Sequence, residues 1–137
     1  MTKFQSKRVL VHAAHQEVYH FLSDFRNFKD LMPPQIVDWQ ADEDSCSFTI
    51  QGMASLAMRI REKVPFQNIH IAAEGDNPID YTLDCSVEPG QENSSLVEIV
   101  FVAELNPFLK MVASAPLQNL VDMLADKLEE IFSAGSK

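Results

Sequence analysis

Cysteine is scarce in this sequence: Cys46 and Cys85 stand alone among 137 residues, with no CxxC and no second pair. That spacing excludes a disulfide framework and a thiolate metal site, and it reads as two reduced, buried thiols of a cytosolic protein. Basic residues are also few, 11 against 20 acidic ones, for a net charge of −9. Nucleic-acid binding rests on Lys and Arg against phosphate, so that partner class is excluded, and an anionic membrane surface is disfavoured. The one basic cluster, Lys3, Lys7 and Arg8, is small. No run of eighteen apolar residues occurs, so no stable membrane insertion is expected, and residues 1–7 lack the apolar segment of a secretory signal. The cytoplasm is the default location. There is no HExxH, no GxSxG, no Gly-rich phosphate loop and no Cys/His set with ligand spacing. Neither a catalytic residue nor a metal or other cofactor is therefore assigned.

What is present is an ordinary globular composition, 46% hydrophobic and 23% charged, in a length that suits one domain spanning residues 1–137. Its organising stretch is residues 106–132. Asn106-Pro107 is a helix start, because Asn accepts from orphan backbone donors and Pro at the first helical position gives up no needed one. Leu117, Leu120, Val121, Leu124, Leu128, Ile131 and Phe132 then recur at spacings of three and four, with Asp122, Asp126, Glu129 and Glu130 opposite. At about 1.5 Å per residue this amphipathic helix would run roughly 40 Å. Pro116 removes one backbone hydrogen bond and should kink or break it.

The earlier chain reads as a strand over 4–11, a short helix over 15–24 with Val18, Phe21 and Leu22 on one face, and a second helical turn over 25–31 stopped by Pro33-Pro34. From 35 to 105 the period becomes twofold. Strands are expected over 35–41, 45–51, 54–63, 67–74, 79–88 and 94–105, with punctuation at Asp42-Glu43-Asp44, Gly52, Gly75-Asp76-Asn77-Pro78 and Pro89-Gly90. Alternation with one polar face marks an antiparallel sheet solvated on one side, and helical patterns at the two ends only leave no crossovers for a parallel one. The fold class is α+β: a curved antiparallel sheet of about seven strands wrapped around the long C-terminal helix, with two short helices after the first strand. Seven strands about 4.8 Å apart make a layer roughly 30 Å wide, whereas a helix with its side chains is about 10 Å across. Such a sheet must curl around its helix, and a hollow can remain beside it.

This element order, with Glu17-Val18-Tyr19-His20-Phe21-Leu22-Ser23-Asp24-Phe25 and Leu31-Met32-Pro33, resembles the START-type, birch-pollen-allergen-like superfamily (SRPBCC, polyketide cyclase-like, helix-grip proteins) over essentially the whole chain. The resemblance implies an apolar cavity between sheet and long helix. Its expected lining is Trp39, Phe48, Met58, Ile71, Tyr81, Leu83 and Phe101 from the sheet and Leu120 and Leu124 from the helix. Phe108, Met111 and Val112 are expected to form a lid over its mouth, hinged near Pro116. Tyr81 is the one hydroxyl in that register and could orient a ligand; the alternative is a core Tyr paired to backbone. His12 and His15 straddle a strand-to-helix junction and are not expected to share a metal, and Asp80 and Asp84 share an outward face as solvated carboxylates. The function this supports is binding or transport of a small hydrophobic ligand: a lipid, a polyketide or an aromatic metabolite. A cyclase- or dehydratase-type enzyme and a chaperone-activator-like interaction module are the alternatives, and a homodimer stays open.

Overall fold

The structure, a computed structural model, describes residues 2–52, 54–75, 79–91 and 93–135. In chain order these form β1 (Thr2–Gln5), β2 (Val9–Val11), α1 (His15–Leu22), α2 (Phe25–Phe28), a 3-10 turn (Lys29–Leu31), β3 (Ile36–Ala41), β4 (Ser45–Ile50), β5 (Ala54–Val64), β6 (Asn68–Ala73), β7 (Tyr81–Pro89), β8 (Ser95–Ala103) and α3 (Pro107–Gly135). All eight strands join one antiparallel sheet in the order β1-β8-β7-β6-β5-β4-β3, with β2 also paired to β8. This is the α+β helix-grip architecture, with two short helices after the N-terminal strands and the long helix last. No described helix is long and apolar enough to cross a membrane. Residues 76–78 of the expected turn lie outside the described residues.

Two strands depart from their expected form. The strand expected over 4–11 is split into β1 and β2, because Phe4 and Ser6 face inward but so do Val9 and Val11, which a continuous twofold pleat cannot do. A local irregularity at residues 6–8 absorbs the change, and Ser6 holds it in place. Its backbone N–H donates to the Ile99 carbonyl (2.8 Å), and its hydroxyl accepts from the Ile99 N–H (2.9 Å). In β3 the register shifts between Val37 and Gln40 around Asp38, whose φ of 56° is left-handed. A short polar side chain tolerates that conformation best, and the extra residue bends this edge strand.

One face of the sheet carries the core. Phe48, Leu56, Met58, Ile69, Ile71, Leu83, Cys85, Val97, Ile99 and Phe101 are all buried at every second position, as the pleat requires. The helix α3 presents Ala113, Leu117, Leu120, Val121, Leu124, Ala125 and Leu128 to it. Helices α1 and α2 close one end. Asp24 caps α2 by accepting the Arg26 N–H (2.9 Å), and Phe66, in the tight turn after β5, sets its ring edge-on against Tyr19 of α1 at 5.5 Å. That contact opposes the cost of the left-handed backbone at Phe66 (φ 65°).

Candidate functional site

The position of α3 over the sheet decides what kind of interior exists. It rests on β8, β1, β2 and the 3-10 turn, and has only marginal contact with β3–β7. The inward side chains of β4 to β7 lie farther from its backbone and are buried all the same. Trp39, Phe48, Met58, Ile71, Tyr81 and Leu83 of β3–β7, with Phe101 of the neighbouring β8, share one hydrophobic core with Leu120 and Leu124. Trp39 is half-buried and stacks on Phe48, with ring centroids 5.6 Å apart; the others are buried. Tyr81 lies parallel to Phe101 at 4.9 Å, and Phe4 meets the same Phe101 edge-on at 6.4 Å.

This wall is chemically quiet. The Tyr81 hydroxyl donates to the Ala57 carbonyl oxygen at 2.8 Å, reaching past the end of β6, so it is a core Tyr engaged with backbone. Burial pushes its pKa up, and burial likewise pushes the Cys46 thiol up and the Cys85 thiol up to about 12. All three are neutral near pH 7. Both cysteines are free and buried, with no nucleophilic character. Among the described residues no group of His, Cys, Asp or Glu is arranged to hold a metal ion. The outward face is polar by contrast: Arg59 pairs with Glu74 at 2.5 Å, and His70 pairs with Asp84 beside Glu62. Of the outward carboxylates noted from sequence, Asp84 is therefore engaged by the histidine directly opposite it on β6, while Asp80 is exposed.

Phe108, Met111 and Val112, expected as a lid over the mouth, lie outside this buried set. They are 67%, 79% and 48% exposed and sit on the outward side of the first turns of α3. The reason is helical phase: the buried stripe through Leu128, Leu124, Leu117 and Ala113 steps back by fours to Leu109, which leaves 108, 111 and 112 off it. Nor does α3 break at Pro116; it is helical from Pro107 to Gly135, with Pro116 inside. Among the described residues, hollows of about 90–290 Å³ open on the molecular surface, and none of these is lined by the inward set as a group. Leu56 and Ile69 share their strand faces with Met58 and Ile71 by the same alternation, whereas Phe4 lies out of phase with Val9 and Val11 and was not singled out from the sequence.

By sequence no family model matches the chain, and no curated protein matches it either. Its fold does match solved structures. The protein XoxI from Bacillus cereus superposes with a TM-score of 0.77 at 14% identity, over 100% of this chain and 99% of that one. A START superfamily protein from Mycobacterium smegmatis gives 0.69 at 17% identity, over 96% and 97%. Norcoclaurine synthase from Thalictrum flavum gives 0.70 at 12% identity, over 95% and 85%. At such identities it is the fold that is shared, a helix-grip fold found also in a START superfamily protein.

Proposed function

We propose that this protein binds and carries a small hydrophobic molecule, a lipid, polyketide or aromatic metabolite, between α3 and the β3–β7 half of the sheet. The observation that supports this reading is the uniformly apolar wall opposite the helix, whose one phenol is already committed to backbone. A site that transforms its ligand needs convergent polar groups. Norcoclaurine synthase is by its name an enzyme, but the described inner face here offers nothing equivalent beyond Tyr81.

The wall is close-packed in this conformation, so entry requires part of α3 to move. The helix is unequally anchored. From Leu117 onward it buries five large aliphatic side chains, each worth roughly 1.5–3 kcal/mol. Residues 107–116 fully bury only Ala113, a methyl worth about 0.8 kcal/mol, with Leu109 half in. Pro116 adds a weak point, since it cannot donate to the carbonyl four residues back. The first turns of α3 are the lid in this reading, and the exposed Phe108, Met111 and Val112 gain apolar surroundings when a ligand arrives.

Native mass spectrometry of freshly purified protein is the direct test. The expected spectrum contains a one-to-one adduct with a hydrophobic molecule, released by mild activation. A mass equal to the bare chain, together with no saturable uptake of an apolar fluorescent probe such as anilinonaphthalene sulfonate, would falsify the reading.

A further inference from the structure

A second feature stands apart from the interior and does not depend on the cargo reading. A groove of about 290 Å³ runs between residues 31–34 and the outer side of α3, lined by Leu31, Met32, Pro33, Pro34, Met123, Asp126, Lys127 and Glu130. Its floor is apolar. Met123 is 38% exposed and its sulfur takes a weak contact from the Gln35 amide at 3.7 Å, an unbranched and polarisable side chain left at the surface. The flank of α3 is acidic: Asp126 and Glu130 line the groove with Lys127 between them, and Asp122 and Glu129 lie next to them along the helix. The nearby cations, Lys7 to Asp126 (2.8 Å) and Lys127 to Glu130 (3.5 Å), are exposed pairs that an incoming charge can displace cheaply.

From this geometry we infer that the groove docks a short basic segment of a partner protein, with one large apolar side chain seated between Met123 and the Pro33-Pro34 edge and lysines or arginines laid along the carboxylates of α3. Charge complementarity selects a cationic partner, in keeping with the net charge of −9. Size and openness select a peptide. Small-molecule sites enclose most of their ligand. Pro34, Met123 and Glu130 stand open to solvent, so a free small molecule would stay half-wet, whereas one side chain needs no fuller enclosure. Asp122 to Glu130 spans about 12 Å of helix, the reach of some four extended residues.

The test uses a fluorescein-labelled peptide, Lys-Lys-Leu-Lys-Lys, with anisotropy read at physiological ionic strength. Saturable binding is expected, weakened about tenfold when the peptide's Leu is replaced by Ser, as loss of a seated side chain implies. On the protein, the pair Asp126→Lys and Glu130→Lys should abolish binding. Met123→Glu separates the proposal from plain charge adhesion: it adds a negative charge, yet a seated apolar anchor predicts about tenfold weaker binding rather than tighter. These positions are on the surface, and unchanged thermal melts would exclude a folding defect. Equal binding of the Leu and Ser peptides, or tighter binding by Met123→Glu, would overturn the assignment. So would a concentration-dependent dimer that Met123→Glu dissolves, since the groove would then belong to a second copy of this chain.

Discussion

Tyr81 carries the phenol that an enzymatic reading of the interior would need, and its environment argues for a structural role. Its ring is stacked on Phe101 and its hydroxyl is spent on Ala57, whose carbonyl oxygen also accepts the Glu74 N–H at 3.0 Å. Tyr81→Phe therefore removes one hydrogen bond without orphaning its acceptor, and should cost about 0.5–1.5 kcal/mol at the lower end of that range. Urea denaturation reads that cost. Affinity for a bound hydrophobic ligand should be unchanged, because the hydroxyl points at backbone. A tenfold or greater loss of affinity in this variant would reassign the hydroxyl to the ligand. The aromatic alternation of β7 was plain in the sequence, but the partner of its phenol was not, because Ala57 is 24 residues away across an intervening strand.

At the scale of the element, α3 joins a firmly held rod to a thinly held start. Pro116→Ala would restore a backbone donor inside the helix and remove a penalty of about 3 kcal/mol in an unstrained interior position. If residues 107–116 are a lid, the wild type should exchange its amides quickly there, ligand should slow that exchange, and the alanine variant should be slow without ligand and take ligand up more slowly. Uniformly slow exchange across 107–116 in the wild type, unchanged by ligand, would make Pro116 a static fitting of helix to sheet. Periodicity carried most of the elements: the stripe from Leu117 to Leu128 and the alternation of β4, β5, β7 and β8 all fall where the sequence places them. It failed where the pleat changes phase. The irregularity at Ser6 and the left-handed Asp38 each insert a residue, and no composition signal marks either one. At 108–112 the lid expectation came from the resemblance rather than from periodicity, and the three side chains stand exposed.

For the whole molecule, the width of the sheet against the width of one helix was enough to require a curl, and the eight-stranded layer gripping α3 has that form. Whether space remains inside depends on how particular side chains fill it, which spacing alone does not encode. The filled interior has a consequence that pH can read. Burial raises the folded-state pKa of Cys46, Tyr81 and Cys85 above their ordinary values of 9.0, 10.0 and 9.0, so the native protein holds these protons after the unfolded chain has lost them. The unfolded state then binds fewer protons, and stability must fall as pH rises. The contribution is intact below about pH 9, and declines from there to about 12, where the buried Cys85 thiol itself ionises. Each such group contributes a slope of roughly 1.4 kcal/mol per pH unit in that window. Cys85→Ala should lower stability at pH 7 by leaving a small void, yet its decline between about pH 9 and 11 should be shallower than wild type by one such slope. Urea midpoints measured across that range test it; parallel curves for the two proteins would mean that Cys85 ionises as easily folded as unfolded, and that the interior beside β7 is wet.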